Sequence, residues 1–182
     1  MKKHLTWLAL LPALALTAHA EVTLPDVFAS GMVLQREVPV AVWGSAAPGE
    51  KVRVAIADAS AEAVAGTNGA WRVDLPAMPA GGPHTMTVAG KNTVQLKDVL
   101  VGEVWLCSGQ SNMSHPIKFY DIHPGVKEDI AAADFPTLRL YCKQTGHRWA
   151  PCSPATLPDF SAVPFYFGRE LLRELDVPVG LV

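Results

Sequence analysis

The sequence predicts an N-terminal antiparallel β-sandwich followed by the first part of an α/β domain. In residues 22–100, apolar and polar residues alternate in short runs separated by turns rich in Gly, Pro and Asn. From residue 99 onward, apolar strand-like segments alternate with a segment of helical periodicity. We therefore expect a β-sandwich domain over residues 21–99 and an α/β domain over residues 100–182.

Composition places the chain among ordinary globular proteins. Its 182 residues are 49% hydrophobic and 18% charged, and the formal net charge is −2. Because 15 Lys and Arg residues stand against 17 Asp and Glu residues, the chain has no basic excess with which to neutralise phosphates. Neither a nucleic acid nor an anionic membrane is expected as a partner.

Residues 1–20 predict a secretory signal peptide. Lys2 and Lys3 form a positive region, residues 5–17 form an apolar region, and Ala18-His19-Ala20 is a small-x-small cleavage site before Glu21. The apolar run is shorter than the roughly 20 residues that a membrane span needs. We expect a periplasmic or extracellular protein that is not held in a membrane after cleavage.

Five short segments of the first half have the period-two alternation of half-buried strands. The pair Asn68-Gly69 is the strongest hairpin signal among the turns, because both residues tolerate the positive φ that tight hairpin turns require. The predicted strands are residues 39–43, 51–56, 71–75, 84–88 and 92–96.

The second half predicts apolar strands at residues 101–107, 138–142 and 177–182, which suit a parallel sheet covered on both faces. Ser161 is placed to cap a helix before the last of them. We expect this helix to bury the residues that repeat every four positions, and residues 125–133 to form a weaker helix. The repeating residues are Val163, Phe167, Leu171 and Leu175.

Three cysteines allow at most one intramolecular disulfide in an oxidising compartment. Cys142 and Cys152 flank a polar loop and could pair, whereas Cys107 lies in an apolar run and is expected to be buried. No cysteine has the spacing of a metal ligand or a basic neighbour that would activate it. Packing is therefore the expected role of all three.

Several large side chains are expected to pack rather than to bind ligands. Trp43, Trp71 and Trp105 occupy strand positions and should cover the core or a sheet face. Trp149 lies in a loop, where an exposed indole could stack on a sugar or a buried one could anchor the loop. Arg139 lies on a strand and could extend its charged group to solvent.

The segment Ser108-Gly109-Gln110-Ser111-Asn112 directly follows an apolar strand. A serine just past the carboxyl end of a parallel strand faces the crevice where open α/β sheets bind ligands. Gly109 permits a tight turn, the Ser111 amide can donate to an oxyanion, and the side chains of Gln110 and Asn112 supply flanking amides. Ser111 is therefore a candidate nucleophile, and a polar strand-to-helix cap is the alternative.

Several motifs together resemble the sialate O-acetylesterase family of SGNH-type hydrolases. The most specific is Gly-Gln-Ser-Asn-Met at residues 109–113, preceded by Gly-Glu-Val-Trp-Leu-Cys-Ser at residues 102–108. The resemblance covers nearly the whole chain after the signal peptide. The other segments that carry it are residues 28–36, 40–44, 48–49, 160–171 and 177–181.

The resemblance implies that the α/β domain is flavodoxin-like and that the enzyme removes O-acetyl groups from sialic acid or related sugars. Ser111 matches the nucleophile of the family, and its amide matches one oxyanion donor. No metal and no organic cofactor are implied.

A complete active site also needs a histidine base oriented by a carboxylate. By the resemblance, the family's Trp-x-Gln-Gly-Glu stretch and its Asp-x-x-His or Asp-x-His partners are expected downstream of Val182. The histidines after Ser111 are His115, His123 and His147, and His115 is the nearest candidate for a substitute base.

The sequence thus leaves two functions open. One is a secreted carbohydrate esterase with Ser111 as nucleophile, and the other is a non-catalytic fragment or glycan-binding β-sandwich module. Because the apolar run before Val182 is cut short, and because three parallel strands make a small core, we expect the N-terminal part of a longer protein.

Overall fold

A computed structural model describes residues 21–142 and 146–182. The predicted signal peptide, residues 1–20, lies outside the described residues. The strands are β1 Val33–Gln35, β2 Val40–Ser45, β3 Lys51–Ile56, β4 Ala59–Val64, β5 Ala70–Leu75, β6 Gly81–Ala89, β7 Thr93–Trp105, β8 Phe135–Cys142, β9 His147–Cys152 and β10 Val179–Leu181. The helices are α1 Val126–Ala131 and α2 Ala162–Leu175, and 3₁₀ turns span Ser111–Met113, Ile117–Tyr120 and Leu157–Asp159.

The molecule consists mostly of β-sheet. The large sheet has the strand order β4-β3-β6-β7-β10-β8-β9, with β1 also paired to β7, and β2 and β5 form a separate antiparallel pair. Strand β10 runs parallel to both β7 and β8, as the sequence predicts for this part of the chain. None of the helices in the described ranges is long and apolar enough to cross a membrane.

The buried side chains form two hydrophobic cores. The first core lies between β3, β6 and β7 of the large sheet and the β2–β5 pair. Strands β3 and β5 bury alternate residues, whereas β7 buries the consecutive residues 99–102. The second core lies where α2 covers the parallel strands β8 and β10. The assignment of the first half to a β-sandwich and of the second to a flavodoxin-like domain stays a prediction.

The Asn68-Gly69 turn joins strands of different sheets, so the predicted hairpin is wrong. The turn chemistry itself is present, since Gly69 has φ 78° and Asn68 Oδ1 accepts a hydrogen bond from the Ala70 amide at 3.0 Å. However, β4 pairs with β3, and β5 pairs with β2. The hairpin in this region is β3–β4, turning at Ala57 with φ 48°. A turn reverses the chain, but burial decides which strands then pair.

Strand β7 is continuous where the sequence predicts two strands. Its first part pairs with β6, residues Leu100 to Gly102 pair with β1, and residues Glu103 to Trp105 pair with β10. The strand therefore crosses the expected domain boundary after residue 99 and connects the two halves of the sheet. The division into two domains stays a prediction.

Helix α2 begins after Ser161 as expected, but it buries a different face. The buried residues are Ala162, Pro164, Phe165 and Gly168, whereas Val163, Phe167 and Leu175, which were expected to be buried, are 40–44% exposed. Gly168 lies on the buried face: a Cβ atom there would lie 2.7 Å from Leu181 Cδ1, so the absence of a side chain favours the close approach of the helix to the sheet.

Trp149 and Arg139 are buried residues that fasten the two halves together. Trp149 lies in strand β9 and not in the expected loop. Its indole N–H donates to the Val27 carbonyl at 2.7 Å, so Trp149 is a buried anchor and not an exposed platform. Arg139 is 6% exposed and forms an ion pair with Asp98, so it does not extend to solvent. Both residues attach the second half of the chain to segments of the first.

The other three tryptophans of the described residues differ in burial. Trp71 is buried as expected, and its indole N–H has no hydrogen-bond partner among the described residues. Trp43 and Trp105 pack on sheet faces instead, with their rings edge-on to Phe28 at 4.7 Å and Phe167 at 5.0 Å.

The strand register rules out the disulfide considered between Cys142 and Cys152. In the β8–β9 pair, Cys142 lies opposite His147 and Cys152 lies opposite Phe135, at the other end of the hairpin. A disulfide needs Cα atoms within about 7 Å, and this register places the two cysteines farther apart. Cys107 is half-buried rather than buried, and it contains a free thiol.

Candidate active site

The loop that follows β7 lies at the carboxyl ends of three parallel strands. The Val182 amide donates to the Trp105 carbonyl at 2.9 Å, and the Cys107 amide donates to the Val182 carbonyl at 2.6 Å. These bonds extend the β7–β10 pairing to the carboxyl ends of the two strands. The chain therefore leaves β7 at the end of the sheet where open α/β sheets bind ligands.

Ser111 begins the 3₁₀ turn Ser111–Met113 in a left-handed backbone conformation, with φ 47°. Its carbonyl accepts hydrogen bonds from the amides of Ser114 and His115, both at 3.0 Å. At Gly109, a Cβ atom would lie 3.0 Å from Met113 Cβ, so the turn is tight enough to favour glycine. A positive φ at a non-glycine residue costs about 1–3 kcal/mol and occurs preferentially at functional sites.

The turn leaves the polar groups of Ser111 available. Its side chain is exposed, and no described residue hydrogen bonds to its hydroxyl. Its amide N–H has no acceptor among the described residues. A hydroxyl and an amide N–H of one exposed residue can supply a nucleophile and an oxyanion donor.

The side chains of Gln110 and Asn112, which flank Ser111, differ in their hydrogen bonds. Gln110 is exposed and extended, with no capping hydrogen bond. The Asn112 side-chain oxygen accepts a hydrogen bond from the Tyr120 hydroxyl at 3.4 Å, and its backbone oxygen accepts one from Ser161 Oγ at 3.5 Å. The predicted Ser161 cap therefore bonds to the serine turn instead of to its own helix.

The histidines after Ser111 are not bonded to its hydroxyl where the structure describes them. His115 Nδ1 lies 3.2 Å from the Tyr120 hydroxyl, and the His123 ring lies 6.2 Å from the Tyr120 ring. The side chain of His147 lies outside the described part of the chain. The sequence did not indicate Tyr120, since only the 3₁₀ turn Ile117–Tyr120 brings it back to Asn112.

A cleft of about 530 Å³ lies beside the serine turn. The ion pair between Lys118 and Asp159 lies at its border, and desolvation raises the pKa of the Cys107 thiol. In the described residues, no three His, Cys, Asp or Glu side chains are grouped closely enough to hold a metal ion. The cleft is lined by residues 106–109, Met113, Ser114, Pro116, Tyr141, Cys142, residues 159–161, Pro164 and Val182.

Known esterases are similar to this chain in sequence and in structure. The sialate O-acetylesterase of Mus musculus is 32% identical over an alignment of 181 residues, covering 83% of this chain and 33% of that protein. The sialate O-acetylesterase of Homo sapiens is 30% identical over 186 residues, covering 83% of this chain and 34% of that protein.

A solved structure of a carbohydrate acetylesterase from Xanthomonas citri superposes with a TM-score of 0.80 at 37% identity, covering 88% of this chain and 39% of that one. No family model matches the chain. The chain spans about a third of the length of the curated relatives that it matches.

Proposed function

Over the stretch that it shares with these relatives, the chain belongs to the sialate O-acetylesterase family, and we propose that it carries the nucleophile of a secreted carbohydrate esterase. The substrate class is an O-acetylated sialic acid or a related acetylated sugar, and the reaction releases acetate. The relatives are named as esterases, and that supports the acetyl ester as the bond broken.

The observation that carries this proposal is the geometry of Ser111. Ser111 is exposed, has a left-handed backbone conformation and lies in the loop after the carboxyl end of β7. Its amide N–H has no hydrogen-bond acceptor among the described residues. Such turns present a hydroxyl to solvent with the oxyanion donor already in place, so little reorganisation is needed during the reaction.

In the proposed mechanism, Ser111 Oγ attacks the carbonyl carbon of the acetyl ester while a base accepts its proton. The Ser111 amide and the Asn112 side chain donate to the developing oxyanion. The C–O bond to the sugar then breaks, and the sugar oxygen takes up the proton from the protonated base. Water attacks the acetyl-serine in the same way and releases acetate.

The base is proposed to come from the part of the relatives' length that this chain does not span. The ring of His115, the histidine that follows Ser111 most closely along the chain, is hydrogen-bonded to the Tyr120 hydroxyl and not to the Ser111 hydroxyl. Asp-x-x-His is not found in the sequence, and Asp-x-His occurs once, at Asp121-Ile122-His123, whose imidazole has no hydrogen bond to Ser111 in the described structure.

The proposal is tested on the protein isolated from its native host, using acetate release from O-acetylated sialic acid. We expect Ser111→Ala to lower kcat by about 10³-fold or more, because removing the nucleophile leaves only binding and oxyanion stabilisation. Ser60→Ala, at an exposed serine of β4, is the matched control and should leave kcat unchanged.

Labelling with a fluorophosphonate gives a second measure, and peptide mapping should place the adduct on Ser111. Undiminished acetate release by the Ser111→Ala variant, or an adduct on another serine, would overturn the assignment. Failure to release acetate from any acetylated sugar would instead support the non-catalytic alternative.

Export is part of the proposal and rests on residues 1–20. N-terminal sequencing of the protein recovered from the periplasm or medium should begin at Glu21. Recovery in the cytoplasm with Met1 retained would contradict export.

A further inference from the structure

Three polar side chains beside the serine turn form a continuous hydrogen-bonded chain. His115 Nδ1 lies 3.2 Å from the Tyr120 hydroxyl, and this hydroxyl donates to Asn112 Oδ1 at 3.4 Å. The turn itself holds the two ends of this chain in place, because the His115 amide donates to the Ser111 carbonyl at 3.0 Å. The chain of hydrogen bonds therefore ends on Asn112, the residue that directly follows the proposed nucleophile Ser111.

The direction of these hydrogen bonds follows from counting protons. A tyrosine hydroxyl has one proton, and Tyr120 gives it to Asn112 Oδ1. The Tyr120 oxygen must therefore accept a hydrogen bond from His115 Nδ1, so neutral His115 carries its proton on Nδ1. Hydrogen bonds that run in one direction polarise one another and are stronger together than separately.

The same arrangement determines what Asn112 offers to a ligand. With Oδ1 occupied by Tyr120, the exposed group of the carboxamide is its NH₂, which has no hydrogen-bond partner in the described structure. A carboxamide that is free to rotate would present its oxygen half of the time, and an oxygen would repel a developing oxyanion. The Tyr120 hydroxyl therefore selects the useful orientation.

We propose that Tyr120 is a positioning residue for the esterase site: with His115 behind it, it fixes Asn112 so that the Asn112 NH₂ donates to the acetyl group bound at Ser111. This inference rests on the proposed function, which it deepens by assigning roles to Tyr120 and His115. His115 thereby acts as a donor to Tyr120 and not as a substitute base.

The first test measures the hydrogen bonds without any activity. Nitrogen-15 NMR of the histidine rings of the full chain, recorded at a pH where they are neutral, should show His115 with its proton on Nδ1. Tyr120→Phe should shift His115 towards the Nε2-protonated form and move the Asn112 side-chain NH₂ resonances. The tautomer of His123, whose ring lies 6.2 Å from the Tyr120 ring and has no described hydrogen bond to the Tyr120 hydroxyl, should not change. A wild-type His115 with its proton on Nε2 would overturn the proposal.

The second test is kinetic and uses a double-mutant cycle on the active enzyme. Tyr120→Phe should lower kcat about tenfold with little change in KM, since the lost orientation matters most when charge develops on the acetyl oxygen. In an Asn112→Ala background, the same change should lower kcat by less than about twofold, because no carboxamide is left to orient.

A matched control removes a different tyrosine hydroxyl. Tyr166 donates to Asp129 at 2.9 Å between α1 and α2, away from the serine turn, so Tyr166→Phe should leave kcat unchanged. A full tenfold loss from Tyr120→Phe in the Asn112→Ala background would overturn the positioning role while leaving the esterase function intact. Conversely, an inactive wild-type enzyme would overturn the proposed function. The NMR measurement would still test the hydrogen bonds from His115 through Tyr120 to Asn112.

Discussion

Arg139 and Asp98 form a two-point ion pair that joins the two halves of the chain. Arg139 Nη1 and Nη2 lie 2.6 and 3.1 Å from the two carboxylate oxygens of Asp98. The guanidinium also donates to the carbonyls of Pro136 at 2.7 Å and Gly31 at 3.2 Å. One buried arginine thus connects β8 with β7 and with the segment before β1, so the ion pair holds the second half of the sheet against the first core.

Breaking this pair should destabilise the protein. Asp98→Asn keeps the shape and tolerates the positive φ of 56° at this position, but it leaves the buried guanidinium without its counter-charge. Because Asp98 is half-exposed, we expect the free energy of unfolding to fall by about 2 kcal/mol, less than for a fully buried pair. Urea titration followed by circular dichroism measures it.

The matched control is Asp74→Asn, since the Arg72–Asp74 pair is exposed at both ends. Its effect should stay below about 0.5 kcal/mol. Equal losses from the two variants would show that the Arg139 pair contributes no more than a surface contact.

Gly102 should be a site at which no side chain fits. A Cβ atom there would lie 1.9 Å from the Pro178 carbonyl oxygen, which accepts the Glu103 amide at 2.8 Å. Gly102→Ala must therefore separate β7 from the start of β10, and we expect a loss of at least about 3 kcal/mol in the free energy of unfolding.

Gly168→Ala gives the contrast, because its Cβ would meet the ends of flexible leucine side chains and not backbone. Better helix propensity offsets part of the clash, so the expected loss is about 1 kcal/mol. Thermal unfolding of both variants tests the ranking, and a Gly102→Ala protein as stable as Gly168→Ala would contradict the close strand approach.

The stability of the protein should fall at alkaline pH partly because of Cys152. Burial raises the pKa of the Cys152 thiol from 9.0 to about 12 in the folded protein. The native state therefore keeps this proton at a pH where the unfolded chain has lost it. The resulting stabilisation is fully present below pH 9 and is lost as the pH rises from 9 towards 12.

Replacing the thiol removes this dependence. Cys152→Ala should lower stability at pH 7 because it leaves a small cavity, but its stability should decline less steeply than that of the wild type above pH 9. Denaturant titrations between pH 7 and 10.5 compare the two slopes. Parallel curves for the two proteins would contradict a buried, protonated thiol.

Trp149 should matter more for stability than Trp43. Trp149→Phe loses the hydrogen bond to the Val27 carbonyl and part of a buried ring, so we expect a loss of about 2 kcal/mol. Trp43→Phe keeps an aromatic ring at a position that is 44% exposed and should cost less than about 1 kcal/mol. Guanidinium unfolding followed by circular dichroism is suitable, because it does not depend on tryptophan fluorescence.

Local patterns in the sequence predicted much of the fold. The alternation of apolar residues located the ends of β2, β3 and β5 to within two residues, because period-two burial is a property of a single strand. Strand β4 was missed because Ala-Ser-Ala-Glu-Ala-Val is low in the branched and aromatic residues that indicate strands. Helix α2 was located by its periodicity and by Ser161 at its start.

The residues of the candidate site also divide into those that the sequence located and those that it did not. The sequence located Ser111, Gln110 and Asn112 because they follow an apolar strand, and this local order also determines their place at the sheet edge. Tyr120 could not be found by spacing, since its contact with Asn112 depends on how the chain between them folds back.

The sequence by itself determined the features that depend on residues close together along the chain. These are the positions of most strands and of α2, the tight turn at Gly109 and the serine that follows β7. Only the tertiary structure decided what depends on distant partners. The face of α2 that contains Gly168 packs against the sheet, and Arg139 is buried in an ion pair with Asp98. Strand β10 lies between β7 and β8, which precede it in the sequence. Side-chain periodicity is local, whereas burial and pairing depend on contacts between residues far apart in the chain.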